Sequence, residues 1–88
     1  MASPRYPRNA AATATLDAGV GSIAGAVLCA GADTATAIIK TGGSGGTVIA
    51  KLSAVANTVA VWAPGYEVAF TDLHVTITGT SPQFSAHV

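Results

Sequence analysis

The stretch Thr71-Asp72-Leu73-His74-Val75-Thr76-Ile77-Thr78-Gly79 is the clearest structural signal in this chain of 88 residues. Its apolar residues alternate with polar ones, and Val, Ile and Thr are β-branched residues that fit a pleated strand. Because successive side chains of a strand point to opposite faces, the alternation predicts one buried face and one polar face, with His74 on the polar, surface side. We therefore expect an all-β protein whose other segments cover the apolar face.

Similar alternation predicts further short strands along the chain. They lie at residues 10–17, 20–30, 34–41, 47–52, 57–63, 66–70 and 83–88. The segment 20–30 could also form a helix, but its two interior glycines would each cost a helix about 1 kcal/mol, so we favour a strand with a bulge at Gly25. Thr71-Asp72 is predicted to be a turn between two strands. About eight strands at this spacing predict a small antiparallel β-sandwich or a jelly-roll-like barrel.

Glycines join two of these predicted strands. Residues 42–46 read Gly-Gly-Ser-Gly-Gly and separate two alternating runs, which predicts a β-hairpin. Within the run 34–41, Ala35, Ala37 and Ile39 share one face. Lys40 and Lys51 mark the polar face of the pair.

The first nine residues differ in composition from the rest. Pro4 and Pro7 restrict the backbone to extended geometry, so we expect an extended N-terminal arm over residues 1–9 and a single domain over residues 10–88. The arm is either a disordered tail or an interface segment. In the second case Tyr6 would be its anchor, and Arg5 and Arg8 would meet carboxylates of a neighbour.

The composition predicts a protein that is covered by other protein. Charged residues are only 9% of the chain, the formal net charge is zero, and many of the apolar residues are alanines that bury little area. Cys29 is the only cysteine, which excludes an internal disulfide and a Cys/His zinc cluster. Oligomerisation or docking on a larger body remains as a source of stability.

The same composition argues against several partners and compartments. A neutral chain lacks the basic face that nucleic acid binding needs. No apolar run reaches the length of a membrane-spanning helix, and the N-terminus shows no secretion signal. We expect no nucleic acid or membrane partner, and the single cysteine fits synthesis in the cytosol.

Motifs that could carry chemistry are weak. The glycine loop lacks the Lys-Ser/Thr end of a phosphate-binding loop. Asp72 and His74 could form a catalytic dyad with Ser81 or Thr76 as nucleophile, but such residues are common here. Two metal sites can be considered, one from His74 and His87 and one from Asp33, Glu67 and Asp72, and neither has a full ligand set. We therefore predict no catalytic, cofactor-binding or metal-binding residues.

Two aromatic residues flank the turn Pro64-Gly65. Trp62 and Tyr66 are candidates for a protein interface, and if both rings are exposed on one surface they could instead stack on a sugar. The alternative for Trp62 is that it fills the core or a subunit contact.

Three segments carry a family resemblance. They read Ala-Thr-Ala-Ile-Ile-Lys at residues 35–40, Gly-Thr-Val-Ile-Ala-Lys-Leu at 46–52, and Val-Ala-Phe-Thr-Asp-Leu-His-Val-Thr-Ile-Thr-Gly at 68–79. Through these three segments the chain resembles small virion proteins of tailed bacteriophages, and the resemblance runs from about residue 14 to residue 88. The resemblance does not cover the arm. It implies a β-sandwich component of the decoration, cement or fibre-attachment kind, often a symmetric oligomer, without an active site.

The leading expectation is therefore a non-enzymatic virion protein that decorates or cements the capsid surface. Its partners would be the major capsid protein or another virion protein, and its own copies, with a trimer favoured. The resemblance also implies synthesis in the cytoplasm of a bacterial host. The first alternative is a small carbohydrate-binding module of a phage tail or fibre that uses Trp62 and Tyr66. The second is a small hydrolase built around Asp72 and His74.

Overall fold

The computed structural model describes the backbone of residues 7–87 and the side chains of residues 9–87, and this part of the chain is all β. Its eight strands are β1 (Pro7–Ala10), β2 (Ala14–Ile23), β3 (Gly25–Cys29), β4 (Ala35–Thr41), β5 (Thr47–Ala54), β6 (Val59–Trp62), β7 (Val68–Thr78) and β8 (Gln83–His87). Residues 7–87 contain no helix. The predicted fold class is confirmed.

The strands pair as in one long antiparallel hairpin, so that the first half of the chain pairs with the second half in reverse order. β1 pairs with β8, β2 with β7, β3 with β6 and β4 with β5, and every pairing is antiparallel. Successive pairs alternate between two four-stranded sheets, which we call the β1 sheet (order β1-β8-β3-β6) and the β2 sheet (order β2-β7-β4-β5). This eight-stranded arrangement of two sheets is the jelly roll.

The two sheets enclose a small core in which alanine is frequent. Leu28 and Phe84 lie opposite each other in the β1 sheet, and both are buried. The buried apolar residues are Ile23, Ala26, Leu28, Ala35, Ala37, Ile39, Leu52, Ala54, Phe70, Leu73, Val75, Ile77, Phe84 and Ala86. Since apolar stabilisation scales with the area removed from water, the alanines limit what this core contributes.

The predicted glycine hairpin is present between β4 and β5. The amides of Gly42 and Gly43 donate hydrogen bonds to the carbonyl oxygens of Thr71 (2.6 Å) and Asp72 (3.0 Å). A Cβ at Gly46 would overlap the carbonyl oxygen of Thr41, so this position requires glycine. The loop is therefore fixed onto β7 and continues the pairing between β4 and β7.

The prediction of a turn at Thr71-Asp72 is wrong, because β7 runs without interruption from Val68 to Thr78. Asp72 has a φ of 54°, and the pairing with β2 shifts register on either side of the neighbouring Asp17–Leu73 pair. This irregularity lets Phe70 and Leu73, three residues apart, both enter the core. Aspartate tolerates the left-handed conformation better than most residues, which explains how the strand continues through this position.

Residues 20–30 form parts of two strands in different sheets, not the single bulged strand that the sequence predicts. The chain crosses from the β2 sheet to the β1 sheet at Ala24, whose amide donates to the carbonyl oxygen of His87 (2.8 Å). The predicted strand 10–17 is likewise divided, because β1 ends at Ala10 and β2 begins at Ala14. Both crossings are needed for consecutive strand pairs to alternate between sheets.

The N-terminal segment enters the sandwich within the predicted arm. Pro7, Arg8 and Asn9 belong to β1, where they pair with His87, Ala86 and Ser85 of β8. Residues 1–6 lie outside the described part of the chain.

The left-handed backbone at Asp72 makes a prediction about stability. Asp72→Val should lower the free energy of unfolding by about 1–2 kcal/mol, because a β-branched residue is strained at positive φ. Asp72→Asn is the matched control and should stay within about 0.5 kcal/mol of the parent, since Asn tolerates this conformation. Urea unfolding measures both; an Asp72→Val protein as stable as the parent would contradict the assigned geometry.

Candidate interaction surface

The outer face of the β1 sheet carries no charged residue among the side chains that the structure describes. Its positions follow from the register: Val27 lies opposite Val61 and Ser85, and Cys29 lies opposite Val59 and Gln83. We call this set the uncharged face; its members are Asn9, Val27, Cys29, Val59, Val61, Gln83, Ser85 and His87, and none of them is Asp, Glu, Lys or Arg. The described residues Asn9, Val27, Cys29, Gln83 and Ser85, together with Phe84, line an open depression of about 260 Å³ on it.

The valines of β6 make one end of the uncharged face apolar. The side chains of Val59 and Val61 are 59% and 66% exposed, and both point away from the core. Interfaces are depleted of charge at their centre, and a patch of exposed apolar side chains on a small protein commonly marks a contact site. The alternation within residues 57–63 puts these two valines on one side of a predicted strand but does not assign that side to solvent.

The outer face of the β2 sheet has the opposite character. Lys40 lies across from His74, and Lys51 lies across from Ile38. Threonines fill many of the remaining positions, and the hydroxyls of Thr36 and Thr78 are hydrogen-bonded to each other across the strands. This face therefore presents the polar surface that a solvated sheet normally shows.

The two aromatic candidates do not share a surface. Trp62 lies opposite Ala26, which is buried, so its ring faces the inside of the sandwich and packs against the core. Tyr66 is 68% exposed in the connection between β6 and β7. Tyr66 therefore stays a candidate for a protein contact, whereas Trp62 is a core residue at the margin of the sandwich.

The candidates in the N-terminal segment are described only in part. Arg5 and Tyr6 lie outside the described residues. Arg8 is a member of β1 and pairs through its backbone with Ala86; its side chain lies outside the description.

The proposed Asp72–His74 dyad is divided between two environments. Asp72 is exposed at the irregularity of β7, whereas His74 is 8% exposed, so the prediction of a surface histidine is wrong. No hydrogen bond joins them in residues 7–87. The Nε2 atom of His74 is buried and has no hydrogen-bond partner among the described residues.

The other residues considered for metal or phosphate binding do not form a site in the described part of the chain. No group of three or more His, Cys, Asp or Glu side chains that could hold a metal is found within the described chain. The amides of Gly42 and Gly43 are occupied by backbone carbonyls and are not aimed at an anion. Between residues 7 and 87, the chain forms no helix of the length and apolarity that a membrane span requires.

Comparison with known proteins finds no matching family model, no matching curated protein and no matching solved structure.

The buried imidazole allows a direct stability test. An unsatisfied buried polar atom costs about 1–3 kcal/mol, so His74→Leu should leave the free energy of unfolding unchanged or raise it by about 1 kcal/mol. His87→Leu, at an exposed position of β8, is the control and should change it by less than about 0.5 kcal/mol. If chemical denaturation shows His74→Leu to be less stable than the parent by more than about 1 kcal/mol, the result contradicts an unpaired Nε2 atom.

Proposed function

We propose that this protein is a non-enzymatic structural component of a bacteriophage virion, which decorates or cements the capsid through protein–protein contacts. The observation that carries the proposal is the uncharged face of the β1 sheet, with Val59 and Val61 exposed at one end. Such a face is costly to leave in water and is suited to cover by another protein.

The mechanism is passive. A specific contact needs on the order of 800 Å² of surface from each partner. The accessible surface of the chain is 4732 Å², so one such contact would use about one sixth of it, and two contacts about one third. A protein that binds both the shell and its own copies would therefore commit much of its surface to interfaces, in agreement with a charged content of only 9%.

The assignment to a virion rests on the motifs and is compatible with the fold. Residues 35–40, 46–52 and 68–79 carry the resemblance to small phage virion proteins, and they form β4, the hairpin with β5, and β7. Jelly rolls occur in viral capsid proteins and also in lectins and cupins, so the topology by itself does not choose among these functions. The partner proposed here is the major capsid protein or another virion protein.

The sugar-binding alternative is not favoured by the geometry. It requires the rings of Trp62 and Tyr66 to be open on one surface, and Trp62 packs inward against the core. The hydrolase alternative needs Asp72 and His74 in one accessible cleft, but Asp72 is exposed whereas His74 is buried.

The location can be tested with particles of the phage whose genome carries the gene. An epitope-tagged chain, expressed during infection, should co-purify with particles through a density gradient at a constant copy number that matches the shell symmetry. Val27→Lys places a charge on the uncharged face and should reduce the copy number at least about tenfold, because an unpaired charge would be buried at the contact.

Ile38→Lys is the matched control, since Ile38 is also a partly buried residue on the outer face of a central strand, but in the β2 sheet. It should retain the parental copy number. Particles without the chain would contradict the proposed function, and equal incorporation of both variants would contradict the assignment of the uncharged face. Thermal unfolding of both variants confirms that each is folded.

A further inference from the structure

The four edges of the sandwich differ in how they are protected against pairing with another strand. An edge strand exposes unpaired N–H and C=O groups, and natural proteins block it with proline, lysine or extra residues that break the register. β1 contains Pro7, and β5 contains Lys51 and an extra residue, Ile49, opposite the Ile39–Lys40 step. β2 has two register shifts, around Asp17.

β6 has none of these protections. Its sequence is Val-Ala-Val-Trp, its register with β3 is regular over all four residues, and no other described strand pairs with its second edge. Residues 52–65, which include β6, the connection before it and the first three residues of the connection after it, contain no charged residue; Glu67 lies at the end of that second connection. This edge is therefore open to pairing with another strand, and its apolar side chains favour such pairing.

The strand is complementary to itself. In an antiparallel pair, residues directly opposite each other point to the same face. If two copies of β6 pair about a twofold axis at Ala60, Val59 of one copy lies opposite the partner's Val61, and the valines of both copies form one row on the same side. No like charges meet in this register, because none are present in the segment.

We propose that β6 is the contact of a homodimer, in which it pairs antiparallel with β6 of a second copy. The pairing joins the two β1 sheets into one sheet of eight strands and makes one continuous surface of their uncharged faces. The contact is isologous, as expected for a twofold dimer, and differs from the trimer expected from the sequence. A threefold arrangement could not pair a strand with itself.

Strand pairing alone covers too little surface for a stable dimer. Because β6 has four residues, the contact must extend beyond the strand to approach about 800 Å² from each copy. Val55, which is 63% exposed, lies in the connection just before β6, and β5 lies beside β6 at the same margin of the sandwich. These neighbours provide the additional area, and we expect dissociation in the micromolar range.

The inference concerns the same surface as the proposed function, but it can be tested in isolation. Sedimentation velocity and native mass spectrometry of the purified full-length chain should show a dimer that dissociates on dilution. Val61→Lys should raise the dissociation constant at least about tenfold, because two lysines would then flank the paired edge. Val20→Lys is the control at an exposed valine of β2 (82% exposed) and should leave the constant unchanged.

Val61→Thr keeps a β-branched residue, so it removes apolar contact at the dimer interface without a large change in strand preference. This variant should dimerise more weakly than the parent but more strongly than Val61→Lys. Each variant is compared with the parent by thermal unfolding. A monomer at all concentrations, a trimer, or a dimer that is equally sensitive to Val20→Lys and Val61→Lys would overturn the inference.

The two proposals fail in different ways. A chain that is monomeric in solution but is incorporated into particles would overturn the β6 dimer and leave the proposed function standing. A dimer that depends on Val61 but is absent from particles would support the β6 contact and contradict the virion function.

Discussion

Each strand of a two-layer sandwich can give only one of its faces to the core, and this constraint governs the rest of the structure. Half of the residues in this chain are apolar, but many are alanines, and alanines are five of the fourteen buried apolar residues in the described part of the chain. The inner faces therefore do not absorb all of the larger apolar side chains. The remaining valines are on the outside, and those of β6 lie at the end of a face without charge.

The two outer faces have different compositions although they belong to one small domain. Lysines and threonines cover the β2 sheet, as expected for a sheet in contact with water. The β1 sheet instead presents Val27, Cys29, Val59 and Val61 together with uncharged polar residues. This asymmetry gives the molecule one side suited to solvent and one suited to contact with another protein. The low charge of the chain suggests such a contact but does not show on which face it lies.

Alternation in the sequence is sufficient to predict the antiparallel sandwich, the glycine hairpin and the common face of Ala35, Ala37 and Ile39, which the structure buries. These features depend on local periodicity and turn residues, which a single strand or hairpin displays by itself. The crossings at residues 11–13 and at Ala24 were not predicted, because an apolar run gives no sign of which sheet it joins. The continuity of β7 through Asp72 was also missed, since it depends on how β2 and the glycine loop pair with that strand.

The interaction surface was predictable only in part. Composition indicated that protein would cover the chain, and the pattern of residues 59–62 grouped Val59 with Val61. Which of the two faces is buried follows from the pairing of Trp62 with Ala26, a long-range contact that local sequence does not encode. For the same reason local sequence does not show that the ring of Trp62 faces the core or that His74 is buried.

Hydrogen–deuterium exchange of the β6 backbone tests most directly whether this side of the sandwich is covered by protein. In dilute solution, the amides of Val59–Trp62 that point away from β3 should exchange rapidly, while those bonded to β3 stay protected. At high concentration or in assembled particles, the outward-pointing amides should become protected as well. Equal, rapid exchange of these amides in all three states would contradict the central claim that the open edge and the uncharged face are completed by another protein.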